Sequence, residues 1–237
     1  MMSGKRWGYV VQFFCLLVFL GMSPFLIKMD GRKTMSVSSD SVRSQNVSDE
    51  VKPVVALTFD DGPNASSTPI LLDGLKERKV RATFFLIGEN VEKDENEKIV
   101  KRMYEEGHLI GNHTYTHCNL SKLETGEAKK ELEQTDTVIE KITGKQPVLV
   151  RAPYGELPVD SEQDLNRIYI GWTVDPLDWM TEDTGAVVKT VVEEINPGDV
   201  ILLHDCYKSS VEAALRIVDL LKAEGFEFVT VDKLILE

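Results

Sequence analysis

The chain has 237 residues, of which 42% are hydrophobic and 28% are charged, and its formal net charge is −12. This size and composition suit one globular domain with appendages. Positions 1–50 carry a net charge of +2, which leaves −14 for positions 51–237. Because nucleic-acid binding requires clustered lysine and arginine, an acidic body of this kind argues against a nucleic-acid partner.

The N-terminal segment is strongly apolar. Lys5 and Arg6 precede an apolar run over residues 7–27, in which Gln12 and Ser23 are the clearly polar residues. About 20 apolar residues span a bilayer as a helix, and a cleaved signal usually has a shorter core. We expect residues 1–28 to form a single-pass signal-anchor that binds the membrane, with the body extracytoplasmic. The alternative is a cleaved signal peptide and secretion.

Residues 29–52 are polar, rich in serine and without periodicity, which is typical of a flexible linker. A regular alternation of apolar and amphipathic stretches begins at residue 53. We therefore expect one folded domain over residues 53–237.

Within this domain, short apolar runs alternate with helical patterns. Continuous apolar runs of this length indicate strands of a parallel sheet that is covered on both faces, which predicts an α/β fold. Helix starts are predicted at Thr68-Pro69 and Asp94, and helix ends at Gly144, Pro197-Gly198 and Gly225. The predicted strands cover residues 54–59, 82–88, 108–112, 147–153, 167–174, 199–205 and 226–231.

Polar segments follow most of these strands. They read "TFDDGP" (58–63), "HTYTH" (113–117), "RAPYG" (151–155), "DPLDW" (175–179) and "LLHD" (202–205). Each one has an ordinary explanation by itself, such as a turn, a surface charge or a core histidine. Because the chemistry of parallel α/β folds lies at the carboxyl ends of the strands, we expect all five segments to share one site.

Two histidines, His113 and His117, stand four positions apart, a spacing that places both on one side of a helical turn. A catalytic metal site of the zinc type needs a third ligand, which the Asp60-Asp61 pair can supply. One aspartate of the pair binds the metal, and the other takes a proton from water on the metal. Two carboxylates this close require a positive neighbour, for which Arg151 is the candidate.

A general acid for the leaving group is the remaining requirement. His204 lies at the end of the sixth predicted strand, and Asp178 is available to keep it charged and oriented. These residue types together predict a metal-assisted acyl hydrolase.

The five segments, in this order, resemble the motif set of polysaccharide deacetylases, the NodB homology domain of carbohydrate esterase family 4. The connecting sequences "ATFFLIGENV" and "GHLIGNHTYTH" match as well, and the resemblance covers residues 53–237. It implies a distorted (β/α) barrel of about seven parallel strands.

The resemblance also implies a role for each residue near the metal. Asp60 is the general base, and Arg151 positions it. Asp61, His113 and His117 bind one divalent ion, which is zinc in the first instance, with cobalt, manganese or nickel as alternatives.

The remaining implied roles concern the substrate. The backbone N–H of Tyr154 helps to hold the oxyanion, and Asp178 tunes His204, the general acid. Trp179 and Leu202 line a small pocket for the acetyl methyl group.

Three cysteines do not make a disulfide framework. Cys15 lies in the apolar run and is interpreted as a small hydrophobic residue. Cys118 and Cys206 lie next to the predicted functional histidines, and we interpret them as free thiols; a disulfide or an inhibitory metal ligand are the alternatives.

The leading functional hypothesis is a membrane-anchored enzyme that removes N-acetyl groups from N-acetylglucosamine units of cell-wall peptidoglycan. Within the family, an intact "DDGP" favours the glucosamine-directed branch. An O-acetyl esterase acting on xylan, or a deacetylase of chitin oligomers, is the alternative enzyme. An inactive sugar-binding module is disfavoured because Asp60 and His204 are both present. The sequence leaves the preferred polymer, its chain length and the oligomeric state open.

Overall fold

A computed structural model describes residues 52–93, 95–159, 161 and 166–236. The predicted anchor (1–28), nearly all of the predicted linker and the predicted helix cap Asp94 lie outside these residues. In the described part of the chain, no helix combines the length and apolarity that crossing a membrane requires.

The described residues form seven strands and seven α-helices in an alternating order. The strands are β1 Val54–Asp60, β2 Thr83–Leu86, β3 Leu109–Asn112, β4 Leu149–Val150, β5 Ile168–Tyr169, β6 Val200–His204 and β7 Glu227–Val229. The helices are α1 Thr68–Arg78, α2 Gly88–Val91, α3 Asn96–Glu105, α4 Thr125–Thr143, α5 Thr184–Glu194, α6 Lys208–Ala223 and α7 Val231–Leu236. Short 3-10 turns cover Leu120–Lys122, Pro153–Gly155 and Asp178–Met180.

All paired strands run parallel, in the order β5-β4-β3-β2-β1-β6, and β7 pairs with the first half of β1. Beyond β5, Val174 forms a single bridge to Ile201 of β6. The sheet therefore curls until its two ends approach each other. This confirms the predicted parallel α/β architecture, in the form of a curled half-barrel.

The core explains why the strands are uninterrupted apolar runs. Consecutive side chains of β1, from Val55 to Asp60, are all buried, because helices cover one face of the sheet and the curled interior lies on the other. Leu71 and Leu75 of α1 and Ile217 of α6 belong to the main core cluster. Each fully buried side chain of this kind contributes about 1.5–3 kcal/mol relative to an exposed one.

Two predicted strands are much shorter than expected. β4 keeps two residues of the predicted 147–153, since Pro147 and Pro153 lack the N–H that a ladder needs. Of the predicted strand 167–174, two residues form β5. The chain then leaves β4, and residues 173–174 form backbone hydrogen bonds with β6 instead.

The end of the domain also differs from prediction. The expected final strand stops at Val229, and α7 follows it. Val231, the first residue of this helix, is buried in a cluster with Ala56 and Phe85. The predicted helix end at Gly144 is confirmed, with the glycine in the left-handed conformation at the end of α4.

Candidate active site

The Asp60-Asp61 pair lies where β1 ends. Asp61 has a φ of 70°, a conformation uncommon for residues with a side chain. Gly62 follows Asp61 and packs against the buried carboxyl group of Asp205. A Cβ at position 62 would lie 2.5 Å from Asp205 Oδ1. Only glycine fits at this close approach. The bend turns the two aspartates toward different partners, as the sequence predicted.

Asp61 meets both histidines of the "HTYTH" segment. Its Oδ1 lies 3.4 Å from His113 Nε2 and 3.2 Å from His117 Nε2, and the three ligand atoms lie within 4.8 Å of one another. Asp61 Oδ1 is buried and has no hydrogen-bond partner among the described residues. One carboxylate and two imidazole nitrogens are ligands that suit zinc and related divalent ions. The donor set therefore fits the predicted cation.

The outer ring nitrogens of both histidines are engaged. His113 Nδ1 lies 2.6 Å from the backbone oxygen of Arg151, and His117 Nδ1 lies 3.2 Å from the Tyr154 hydroxyl. Such partners orient a ligating imidazole and select its tautomer. Both Nε2 atoms are thereby directed at Asp61.

The predicted helical turn for this pair is wrong. Residues 113–117 contain no helix, and both Thr114 (φ 64°) and His117 (φ 57°) adopt the left-handed conformation. An irregular turn, rather than helical periodicity, brings the two rings to a centroid distance of 5.0 Å.

Electrostatics favours the ionised form of the central carboxylate. Burial raises the pKa of Asp61, but the two imidazoles lower it more, so it lies well below its ordinary value. An ionised carboxylate is the form that binds a metal.

Arg151 holds the second aspartate. Its side chain is fully buried, and Nη1 donates to Asp60 Oδ1 at 2.9 Å and to Thr58 Oγ1 at 2.7 Å. Nε and Nη2 donate to the backbone oxygens of Ile170 and Gly171, so every nitrogen of the buried guanidinium has an acceptor. Asp60 Oδ2 stays directed at the centre, 3.8 Å from His113 Nε2. This places Asp60 beside the ligands, where the sequence predicted a base.

His204 lies on the other side of the same centre. Its Nε2 is 4.0 Å from Asp61 Oδ2, while Asp178 Oδ1 lies 2.8 Å from its Nδ1 and Asp178 Oδ2 accepts its backbone N–H at 2.8 Å. Burial lowers the pKa of His204, but the hydrogen bond and charge of Asp178 raise it more, to about 8. The imidazole is therefore protonated at neutral pH, as an acid must be.

The predicted substrate-contacting residues differ in exposure. Tyr154 is 65% exposed, has a φ of 62° and stands with its ring edge-on to His117 at a centroid distance of 4.9 Å. Trp179 is 51% exposed and directly follows Asp178, whereas Leu202 is buried within β6. All ten predicted site residues thus lie at or near the same edge of the sheet.

Known proteins resemble this chain in sequence. The profile of the family "Polysaccharide deacetylase" matches residues 48–170. A peptidoglycan-N-acetylglucosamine deacetylase of Bacillus cereus is 41% identical over 186 residues, which cover 76% of this chain and 67% of that protein. The chain belongs to the polysaccharide deacetylase family. The predicted family and enzyme class are confirmed, and the roles of individual residues stay predictions.

Two further relatives show the range of this deacetylase family. The peptidoglycan-N-acetylmuramic acid deacetylase PdaC of Bacillus subtilis is 39% identical over 82% of this chain, which spans 41% of that protein. A solved structure of PdaC superposes with a TM-score of 0.74 over 78% of this chain and 90% of the other. An acetyl xylan esterase from Clostridium thermocellum, solved with a cobalt ion, has a TM-score of 0.72 at 32% identity and covers 76% and 89% of the two chains.

Two polar residues of this deacetylase-family site were missed from sequence. Thr58 and Asp60 both accept hydrogen bonds from Arg151 Nη1. Thr58 was missed because it lies within an apolar strand pattern. Asp205 is fully buried, accepts a hydrogen bond from Thr68 Oγ1 and supports Gly62. Burial raises the pKa of Asp205 to about 7. Its position directly after His204 was the signal that could have found it.

Both described cysteines are free, as the main interpretation expected. Burial raises the pKa of Cys118 and raises that of Cys206 to about 12. The thiols are therefore protonated and weakly nucleophilic at neutral pH. Cys15 lies outside the described residues.

Proposed function

We propose that this chain is a metal-dependent hydrolase that removes N-acetyl groups from N-acetylglucosamine units of cell-wall peptidoglycan and releases acetate. The convergence of Asp61, His113 and His117 on one point, with Asp60 and His204 beside it, carries the proposal. The glucosamine-directed assignment is supported by the intact "DDGP" and by the name of the Bacillus cereus relative.

Asp61, His113 and His117 would hold the cation, which would supply Lewis acidity for the amide carbonyl and for the attacking water. Zinc is the first candidate, and the cobalt in the related esterase supports cobalt as a substitute. The protein's own groups then move the protons. Asp60 Oδ2 accepts a proton from the attacking water, while Oδ1 stays hydrogen-bonded to Arg151.

His204 acts on the leaving group. Its Nε2 donates a proton to the departing amine as the carbon–nitrogen bond breaks, and Asp178 keeps the opposite ring nitrogen oriented. The backbone N–H of Tyr154 donates to the carbonyl oxygen as negative charge develops there. Trp179 and Leu202 border the acetyl methyl group. The products are acetate and a free amine.

We further propose that residues 1–28 anchor the enzyme in the membrane and that residues 29–52 tether the catalytic domain outside the cytoplasm. The apolar run over residues 7–27 and the peptidoglycan substrate support this arrangement. Recovery of the full-length chain in soluble fractions would contradict the anchor.

Acetate release tests the function directly. We expect the purified enzyme to release acetate from purified peptidoglycan and from N-acetylglucosamine oligomers. Addition of a chelator should abolish acetate release, and addition of zinc or cobalt should restore it. Acetylated xylan serves as the competing substrate. Release from xylan without release from either amide substrate would overturn the N-deacetylase assignment, and free amines on muramic residues alone would overturn the sugar assignment.

The pH dependence of kcat/KM, which reports the pKa values of the free enzyme, tests His204 as the acid. Activity should fall as pH rises through the pKa of His204, about 8, because the imidazole then loses the proton that it donates. Asp178→Asn removes the charge that raises this pKa but leaves the lowering effect of burial, so the alkaline limb should move to lower pH. Asp219→Asn, a surface change at the Arg78 ion pair, is the control and should leave the limb in place. An unmoved limb in Asp178→Asn would exclude this pair as the acid.

A further inference from the structure

A carboxylate from outside the site binds the turn between the two histidines. Glu131, in the first half of α4, accepts the backbone N–H groups of Tyr115 at 3.0 Å and of Thr116 at 2.9 Å through Oε2. The Thr116 hydroxyl lies 3.1 Å from both oxygens of the same carboxylate. One side chain therefore binds three donors of the turn.

The turn needs external support. β3 ends at Asn112, and the N–H groups of His113 and Thr114 still bond nearby, to Leu86 O of β2 at 2.9 Å and to Asn112 Oδ1 at 2.8 Å. The next two N–H groups, of Tyr115 and Thr116, lie beyond the reach of the sheet and bond to Glu131. Thr114 and His117 both adopt left-handed backbone conformations, which residues with a side chain disfavour. Such conformations persist only where the surroundings impose them. The hydrogen bonds of Glu131 lie between these two positions.

Other contacts fix the opposite side and the start of the turn. The N–H groups of Gly88 and Glu89 in α2 donate to the backbone oxygens of Thr114 and Tyr115, both at 3.0 Å. Gly88 permits this approach, since a Cβ there would lie 2.4 Å from Tyr115 Cδ2. The carbonyl groups of the turn are thus held by α2, and the N–H groups of its middle are held by Glu131 of α4.

The two ligands depend on this support to different degrees. The His113 side chain is 3% exposed and lies directly after β3, with its Nδ1 against Arg151 O. The His117 side chain is 27% exposed and lies at the far end of the turn. Any loosening of the turn therefore displaces His117 more than His113.

We propose that Glu131 is a positioning residue for the metal ligands. It keeps the turn over residues 114–117 in the conformation that holds His117 Nε2 against Asp61 Oδ1. The inference rests on the proposed metal-dependent function, because it assigns Glu131 to the metal affinity of that site. It concerns positioning alone, since the carboxylate binds the turn and none of the three ligand side chains.

Metal affinity without substrate is the measurement that tests this role. The full chain and its variants are titrated with zinc and with cobalt in competition with a chromophoric chelator. Glu131→Ala should weaken affinity by about 10–100-fold, the usual cost of losing a group that orients a ligand. Glu131→Gln keeps an acceptor oxygen and should therefore lose less metal affinity than Glu131→Ala. Acetate release at saturating metal should recover most of the parent rate in both variants.

The matched control is Glu133→Ala. Glu133 lies on the same helix, exposed and paired with Lys129 at 3.5 Å, and its loss should leave metal affinity unchanged. Thermal unfolding of the metal-free proteins separates positioning from general stability. A lower melting temperature in Glu131→Ala with unchanged metal affinity would overturn the proposal.

If Glu131→Ala fails to fold, Glu131→Gln and Thr116→Val decide the question, because each removes part of the same hydrogen-bond set. Unchanged metal affinity in both would overturn the proposal. A parent chain that binds metal but releases no acetate would refute the proposed function and leave the positioning role standing.

Discussion

Replacing Asp60 with asparagine is expected to lower kcat by about 10²–10⁴-fold, the usual contribution of a general base. Asparagine has the same shape, and its amide oxygen can still accept the hydrogen bond that Arg151 Nη1 gives to Asp60 Oδ1. It cannot take a proton at the position of Oδ2, which lies 3.8 Å from His113 Nε2. The measurement is acetate release under saturating substrate and metal.

Metal affinity provides the internal check on this variant. Asp60 is not among the three clustered ligands, so Asp60→Asn should bind zinc with an affinity close to that of the parent chain. Asp73→Asn, at an exposed ion pair with Arg102, controls for the loss of a carboxylate elsewhere. Full acetate release from Asp60→Asn would show that another group accepts the proton.

Replacing His113 with alanine is expected to remove metal and activity together. The ring supplies one of three ligand atoms, and its loss should weaken affinity by more than the roughly 100-fold that a lost outer partner costs. The buried ring also leaves a cavity and an unpaired Arg151 carbonyl oxygen, so some stability should be lost too. Titration with zinc and acetate release with excess zinc measure both effects.

A second buried histidine separates these two causes. His108 is buried, packs edge-on against Phe84 and accepts the Ala82 N–H through Nδ1, without contact to the ligand cluster. Burial lowers the pKa of His108 to about 4, so the ring is neutral at working pH. His108→Ala should therefore lose stability yet keep zinc affinity. Retention of tight zinc binding by His113→Ala would disprove the ligand assignment.

Much of the site could be predicted because parallel topology places strand ends together. β1 was predicted over 54–59 and spans Val54–Asp60, so the polar residues that follow it fell at the expected edge. Asp60, Arg151 and His204 could be assigned because base, cation and acid each require a particular side-chain type. The order of the five motifs along the chain then indicated the polysaccharide deacetylase family, in addition to the type of chemistry.

The shape of the histidine turn could not be predicted. Thr114 and His117 adopt left-handed conformations without the glycine or asparagine that usually signals them. Glu131 also gave no local signal, because its partners lie 15 and 16 residues away across a tertiary contact. The shortness of β5 depends on where the sheet curls, a property of the whole fold.

Arg151 contributes two separate groups to the site. Its main-chain oxygen binds the imidazole of His113, and its guanidinium binds the carboxylate of Asp60. Arg151 therefore links His113, a proposed metal ligand, to Asp60, the proposed base, so a small displacement of this strand end moves both side chains together. The exposed aromatic ring of Trp179 lies outside that linkage, whereas the Tyr154 hydroxyl contacts His117 Nδ1. Substrate preference can therefore diverge at the rim while the chemical machinery keeps its dimensions.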